Sequence, residues 1–173
     1  MGPIYGEQWT NWNNKGINQL DEVIDKLKNN PDDRRLIVSA WNVESLPFMA
    51  LPPCHYAFQF YTEKLSFFDR VSWANKHNID IIGKSDEEMT KLGIPERGLS
   101  CMWQQRSVDV LLGLPFNFLS YSILTYMIAQ CVNMAPRYLI FNGGDCHIYE
   151  NQLKIYQETQ GLNSIYKYDA PSL

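Results

Sequence analysis

No run of eighteen or more apolar residues occurs anywhere in the sequence, so no segment has the length and character of a membrane span. The front carries no basic, apolar, small-residue leader; with no secretory signal in view, the expected location is the cytoplasm, without membrane association. Cysteine is scarce: Cys54, Cys101, Cys131 and Cys146 lie far apart and form no C-x-x-C pair. That spacing argues against a structural zinc site and against a disulfide framework, so reduced thiols and no metal are expected. Positive charge is also short, with 15 Lys and Arg against 19 Asp and Glu for a net charge of -4. A broad nucleic-acid face needs a basic surface that neutralises several phosphates, and this chain has no such excess. A single phosphate is a smaller demand, met by two or three well-placed arginines. Internal repeats and low-complexity tracts are absent as well.

What is present is a large apolar fraction. At 173 residues, 45% hydrophobic and 13% aromatic, the chain can bury a substantial core, and one domain over residues 1–173 is expected. Ile17, Leu20, Val23, Ile24 and Leu27 recur at three- and four-residue spacing, an amphipathic helix closed by Asn29, Asn30 and Pro31. Leu36 to Trp41 reads as a buried strand, Tyr56 to Tyr61 as a second, and Leu99 to Leu112 as a third. Residues 118 to 132 are apolar nearly all round and predict a buried core helix, with Pro115 ahead of it and Asn117 as its N-cap. Tyr138 to Phe141 predicts a short strand, Gly143 and Gly144 a turn, and Ile148 to Thr159 a final helix. Residues 69 to 98 are polar and charged and read as an insertion between two strands. Strands and helices without regular βαβ alternation point to an α+β fold, a mixed sheet backed by the Phe118 helix.

A thiol at a rigid turn is more often a packed small hydrophobe than a nucleophile, and Pro52-Pro53-Cys54-His55 by itself says no more. A positive neighbour would change that, because thiolate is the reactive form. Arg34 and Arg35 precede a strand, where paired arginines ordinarily make a solvated edge. Arg106 is different: inside an otherwise apolar strand its charge calls for a partner or an anionic ligand. Asn117 and Asp145 can be read as helix caps, and His147 and Tyr149 as hydrogen-bonded groups at the edge of the core. Composition and periodicity alone name no enzyme.

Five longer stretches are more specific. They are Gly-Pro-Ile-Tyr-Gly at 2–6, Asp-Arg-Arg-Leu-Ile-Val-Ser-Ala-Trp-Asn at 33–42, Met-Ala-Leu-Pro-Pro-Cys-His at 49–55, Gln-Arg-Ser-Val-Asp-Val-Leu-Leu-Gly-Leu-Pro-Phe-Asn at 105–117 and Gly-Gly-Asp-Cys-His-Ile-Tyr at 143–149. In this order they resemble thymidylate synthase across nearly the whole chain. The resemblance implies reductive methylation of dUMP to dTMP, with 5,10-methylenetetrahydrofolate as co-substrate. Cys54 would add to C6 of the pyrimidine, dividing one hard step into easier ones. Gln105, Arg106 and Ser107 match substrate-binding positions, Arg106 and Ser107 as phosphate ligands. Arg34 and Arg35 match arginines that reach the phosphate in a partner's site, which implies a homodimer. Asn117 matches the residue that reads the pyrimidine edge; an amide offers one donor and one acceptor, complementing uracil O4 and N3–H, whereas a carboxylate would favour cytosine. His147 and Tyr149 match ligands of the deoxyribose hydroxyl, and Tyr5 a tyrosine near C5, where a proton must leave. Asp109 matches the group that orients the pterin, and Leu51, Leu112, Gly113 and Phe116 match the wall of the folate site.

The family's Gly-Pro-x-Tyr-Gly motif normally follows a long portion carrying a further phosphate-binding arginine, a catalytic glutamate and a tryptophan near the cofactor. None of these has a counterpart here, and the family's closing C-terminal tail has none either. Two other readings share the same residues: a nucleotide-binding or regulatory protein without turnover, and a uridylate hydroxymethylase that adds water instead of hydride.

Overall fold

The period-two alternation of the second and third strands sorts their side chains onto two faces, and that sorting builds the core. The structure, a computed structural model, describes residues 2–154 together with 157 and 158. Strand β1 (Ile37–Ser39), β2 (His55–Lys64), β3 (Arg97–Asp109) and β4 (Ala135–His147) form one sheet in the order β1-β2-β3-β4. The first three are antiparallel neighbours, while β3 and β4 run parallel. A parallel pair needs a crossover, supplied here by a helix over Gly113–Cys131. Two helices precede the sheet, α1 (Gly6–Thr10) and α2 (Gln19–Asn29), and two lie within the β2–β3 connection, α3 (Phe67–Lys76) and α4 (Asp86–Lys91), so the crossover helix is α5. The expected α+β class is what forms.

Helix α2 starts where the Asn18 side chain accepts the backbone N–H groups of Leu20 and Asp21, and it buries Val23 and Leu27. These meet Val38, Phe58, Phe60, Leu99, Cys101 and Trp103 from the inner sheet face in one continuous core. Trp103 is its centre: Tyr121 stacks on it at 5.1 Å, Phe118 meets it edge-on at 4.8 Å, and Phe141 lies at 4.9 Å. The segment before α2 is pinned by buried amides. Gln8 donates to the Pro3 carbonyl at 2.8 Å, and Gln19 donates to the carbonyls of Gln8 and Ser39 at 2.7 and 2.9 Å.

Three expectations about local structure are corrected. Asn117 is not a cap, because α5 begins four residues earlier at Gly113 and carries Pro115 in its first turn, where the missing N–H is no loss. Helix α5 is not buried all round: Tyr121, Thr125, Ile128 and Ala129 face the core, but Leu119, Ile123 and Met127 are exposed, since no described residue packs over them. Gly143 and Gly144 make no turn, and β4 runs straight through them. A Cβ on Gly144 would sit 2.7 Å from the Arg106 carbonyl oxygen, so Gly144 allows β4 to approach β3 closely, while a Cβ on Gly143 would meet the Phe141 and Cys146 side chains of β4 itself. The helix expected over 148–159 falls partly outside the described residues; what is described there includes a 3₁₀ turn, Glu150–Gln152.

The polar stretch between β2 and β3 forms two helices around a small core of its own. Ala74, Met89 and Ile94 form a separate small core, and capping boxes at Ser66 with Asp69 and at Ser85 with Glu88 start its two helices. Buried Arg70 ties it together, donating to the carbonyls of Pro95, Asp86 and Ile94, to the Asp86 carboxylate at 2.6 Å and to the Thr90 hydroxyl at 2.8 Å. A buried guanidinium is tolerable only when its donors are matched in this way. Among the described residues no helix is long and apolar enough to cross a membrane.

Gly144→Ala should force β4 away from β3 and cost about 1–3 kcal/mol, read as a lowered urea midpoint with unchanged slope. A midpoint equal to the parent's would show that the close approach carries no strain.

Candidate active site

A single extra residue at the start of β2 sets the geometry of the site. His55 pairs with Gln105 and Ala57 with Gln104, so Tyr56 is a bulge in the ladder. The extra residue reverses the alternation and puts His55 on the same face as Phe58, where its Nδ1 shares a hydrogen bond of 2.8 Å with the Tyr121 hydroxyl. Cys54 lies at the corner just before this strand, half-buried, and its carbonyl accepts the Arg106 backbone N–H at 2.9 Å. The Arg106 guanidinium folds over the same corner, donating to the carbonyls of Pro53 at 3.0 Å and Pro52 at 2.9 Å. It also lies 5.8 Å from the centroid of the Trp41 ring. Among the described residues, no carboxylate is within ion-pair distance of it. An arginine anchored by two carbonyls keeps its positive charge, since carbonyls orient it without neutralising it.

Tyr5 closes the corner from the other side. Its hydroxyl accepts the Cys54 backbone N–H at 3.1 Å, and its ring stacks on His55 at 4.0 Å with 8° between planes. This placement needs an unusual backbone, φ 46° and ψ -106°, of the kind that costs ~1–3 kcal/mol and persists only where surrounding contacts hold it. Burial pushes the Tyr5 phenol above its ordinary range, partly offset by the Cys54 backbone hydrogen bond. Burial pushes His55 down to about 4, so its imidazole is neutral near pH 7.

Asn117 sits one turn into α5 and donates to the buried Gln105 side chain at 3.0 Å. Gln105 also accepts from the Trp103 indole at 3.3 Å and donates to the Ser107 carbonyl at 3.1 Å. Its amide is thus fully engaged within the protein, and it fixes which way the Asn117 amide faces. A cavity of about 270 Å³ opens beside Asn117, walled by His55, Tyr121, Trp9, Ser120, Ile123, Leu124 and Met127. Cys54 is not among its walls.

The parallel ladder gathers the remaining polar groups at the far end of β3. Ser107 pairs with Asp145 and Asp109 with His147. The Asp109 carboxylate accepts the backbone N–H groups of Leu111 and Leu112 and the Gln152 side chain, and the Leu112 hydrogen bond leads in holding its acidity below the usual carboxylate range. His147 meets the Asp145 carboxylate at 3.1 Å and stands edge-on to Tyr149 at 4.8 Å. Leu112, Gly113 and Phe116 occupy the first turn of α5, with Leu112 and Phe116 exposed, as is Leu51. Arg34 and Arg35 are elsewhere: Arg35 pairs with Asp33 at 3.1 Å, and the Arg34 carbonyl faces Gln59. Gln59 is five residues from Cys54 along the chain, roughly 17 Å at ~3.3 Å per residue, so neither arginine joins the corner within one protomer. Among the described residues, no three His, Cys, Asp or Glu side chains gather as metal ligands.

Comparison with known proteins identifies the scaffold that carries this corner. The family profile described as thymidylate synthase matches residues 1–167. The chain belongs to the thymidylate synthase family. It is 42% identical over 157 residues to the thymidylate synthase of Vesicomyosocius okutanii subsp. Calyptogena okutanii (strain HA), covering 89% of this chain and 47% of that protein. It is 42% identical over 158 residues to a probable thymidylate synthase of Escherichia phage T5, covering 91% of this chain and 45% of that one. The crystal structure of thymidylate synthase from T4 phage superposes with a TM-score of 0.69 at 38% identity, over 98% of this chain and 46% of that one. The chain therefore spans about half the length of the relatives it matches.

His55, Tyr121 and Trp9 were not singled out by the sequence reading. His55 carried a usable signal, its place beside Cys54, but only the bulge at Tyr56 turns it inward. Because its folded acidity constant is about 4 against an ordinary 6.5, the unfolded chain binds the proton first as pH falls. Stability should be complete above pH 6.5 and fall by on the order of 3 kcal/mol as pH drops to 4. His55→Asn should flatten that part of the profile in urea titrations at several pH values; an unaltered slope would place the imidazole in contact with water.

Proposed function

We propose that the chain carries the pyrimidine-binding part of a thymidylate synthase active site and serves the conversion of dUMP to dTMP. The observation that carries this reading is the corner where Cys54, Arg106 and Tyr5 meet, with the Asn117 amide oriented by Gln105 on the adjoining helix. Arg106 holds the nucleotide phosphate together with the Ser107 hydroxyl. Cys54 attacks C6 of the uracil, which leaves C5 carbanion-like. Asn117 presents its carbonyl to N3–H and an amide N–H to O4, which selects uracil over cytosine. His147 and Tyr149 hold the deoxyribose hydroxyl, and Tyr5 is assigned to the neighbourhood of C5, where a proton must leave.

Methylenetetrahydrofolate supplies the one-carbon unit and the hydride when bound. The residues suit it: Leu51, Leu112 and Phe116 expose apolar surface, and Asp109 offers a fixed carboxylate to a pterin N–H group. The place of Arg34 and Arg35 away from Cys54 within one protomer supports a homodimer in which they reach the partner's site. The uncovered sheet face, with Ile37, Tyr61, Tyr138 and Ile140 exposed, gives a second copy a surface to meet. A second reading, nucleotide binding without turnover, draws support from the cavity that adjoins Asn117 and His55 but excludes Cys54.

In D2O, the chain should bind dUMP and exchange its C5 hydrogen, followed by NMR. Cys54→Ser should retain binding and lose exchange, and exchange surviving in this variant would remove the nucleophile assignment. Binding without any exchange by the parent favours the second reading. Asn117→Asp should shift preference from dUMP toward dCMP by at least tenfold in Kd, and an unchanged preference would assign ring recognition to another group.

A further inference from the structure

The turn between α2 and β1 carries Arg34 and Arg35, both exposed, and the far end of the β2–β3 ladder holds it. Leu99 lies opposite Thr62 in that ladder, and Arg97, two residues earlier on the same face, reaches Thr62 diagonally. The Arg97 guanidinium donates to the Thr62 hydroxyl from Nε at 3.1 Å and from Nη2 at 2.9 Å. The Thr62 hydroxyl in turn donates to the Pro31 carbonyl at 2.7 Å, and Arg97 Nη2 also meets the Asp32 carboxylate. Arg97 thus grips two successive residues of the turn, one through a bridging hydroxyl and one directly. Thr62 is buried and the Arg97 side chain nearly so, which strengthens these hydrogen bonds over their counterparts in water.

The gripped residues immediately precede Arg34 and Arg35. The turn is closed by the Asp33 N–H, which donates to the Asn30 carbonyl at 3.0 Å, and Asp33 steers Arg35 through an ion pair of 3.1 Å. Arg34 makes no ion pair among the described residues. A cleft of about 380 Å³ opens here, walled by Asn30, Asp32, Asp33, Arg34 and Arg35. We propose that Arg97 is a positioning residue for phosphate capture: through Thr62 and Asp32 it fixes the turn from which Arg34 and Arg35 extend to a phosphate. A loose turn would have to be ordered at the moment of binding, and that ordering is subtracted from affinity. Arg97 is also the first residue of β3, where the α3–α4 insertion rejoins the sheet, so the insertion and the arginine-bearing turn share one anchor. The inference rests on the reading of Arg34 and Arg35 as phosphate ligands.

Calorimetry with dUMP and with deoxyuridine, which lacks the phosphate, tests it. Asp32→Ala is the informative variant, because Asp32 is exposed and the fold should persist by circular dichroism. By charge alone, loss of a carboxylate beside the turn would tighten an anion; loss of the bracket should instead weaken dUMP by about tenfold and leave deoxyuridine unchanged. Arg97→Lys, which keeps the charge but not the forked reach, should weaken dUMP in the same selective way. Unchanged or tighter dUMP binding in Asp32→Ala overturns the proposal, as does an equal loss for both ligands or a parent that holds dUMP no better than deoxyuridine. A parent that binds neither ligand removes the nucleotide reading, and inorganic phosphate followed by the Arg34 and Arg35 guanidinium resonances then decides. Asp32→Ala should need about tenfold more phosphate for the same shift, and no shift in the parent, or identical titrations, overturns the proposal.

Discussion

The side-chain amide of Gln105 joins the interior to the chemistry. It is buried, and its oxygen receives both the Trp103 indole and the Asn117 amide, while its nitrogen donates to the Ser107 carbonyl. Trp103 is held by three aromatic neighbours, so packing of the core fixes the indole, the indole fixes Gln105, and Gln105 fixes the orientation of Asn117. An amide that reads a base is useful only if its two ends cannot exchange places. Rotation of Asn117 would leave the buried oxygen of Gln105 facing another oxygen, which low-dielectric surroundings penalise heavily. The orientation of Asn117 thus draws on the stability of the whole inner sheet face.

The corner at Cys54 follows a second logic, in which backbone carbonyls hold the Arg106 guanidinium without cancelling its charge. Arg106 is fastened by the carbonyls of Pro52 and Pro53, two residues that have no N–H of their own and give the turn its rigidity. A carboxylate in their place would have fixed the guanidinium equally well but would have cancelled the positive field that attracts an anion. Opposite, the unfavourable backbone of Tyr5 is sustained by its stack on His55 and its hydrogen bond from Cys54, while the Gln8 and Gln19 amides hold the segment behind it. Neutral His55 suits this arrangement, because burial disfavours an imidazolium stacked there.

Legibility in the sequence tracked the range of the interaction. Helix α2 and the first three strands follow from local period and hydrophobicity. The misreadings share a cause. Pro115 followed by Asn117 imitates a helix start, but Leu112 and Gly113 already obey the crossover that the parallel β3–β4 pair demands. Gly143-Gly144 imitates a turn, whereas the requirement is close approach to Arg106, which only the neighbouring strand creates. The bulge at Tyr56 leaves no mark in the sequence, and with it went the inward aim of His55. Gln105 was legible as a family position but not as an internal brace, because its partners lie on β3 and α5 together.

The folded insertion has an evolutionary corollary. Its boundaries, Lys64 and Arg97, are directly opposed across the β2–β3 ladder, so a tight turn of a few residues could connect them with the strands undisturbed. About ten residues of β2, roughly 30 Å of strand, separate that junction from Cys54. The hairpin tip therefore tolerates a change of length with Cys54 and Arg106 left in place at the other end of the strand pair.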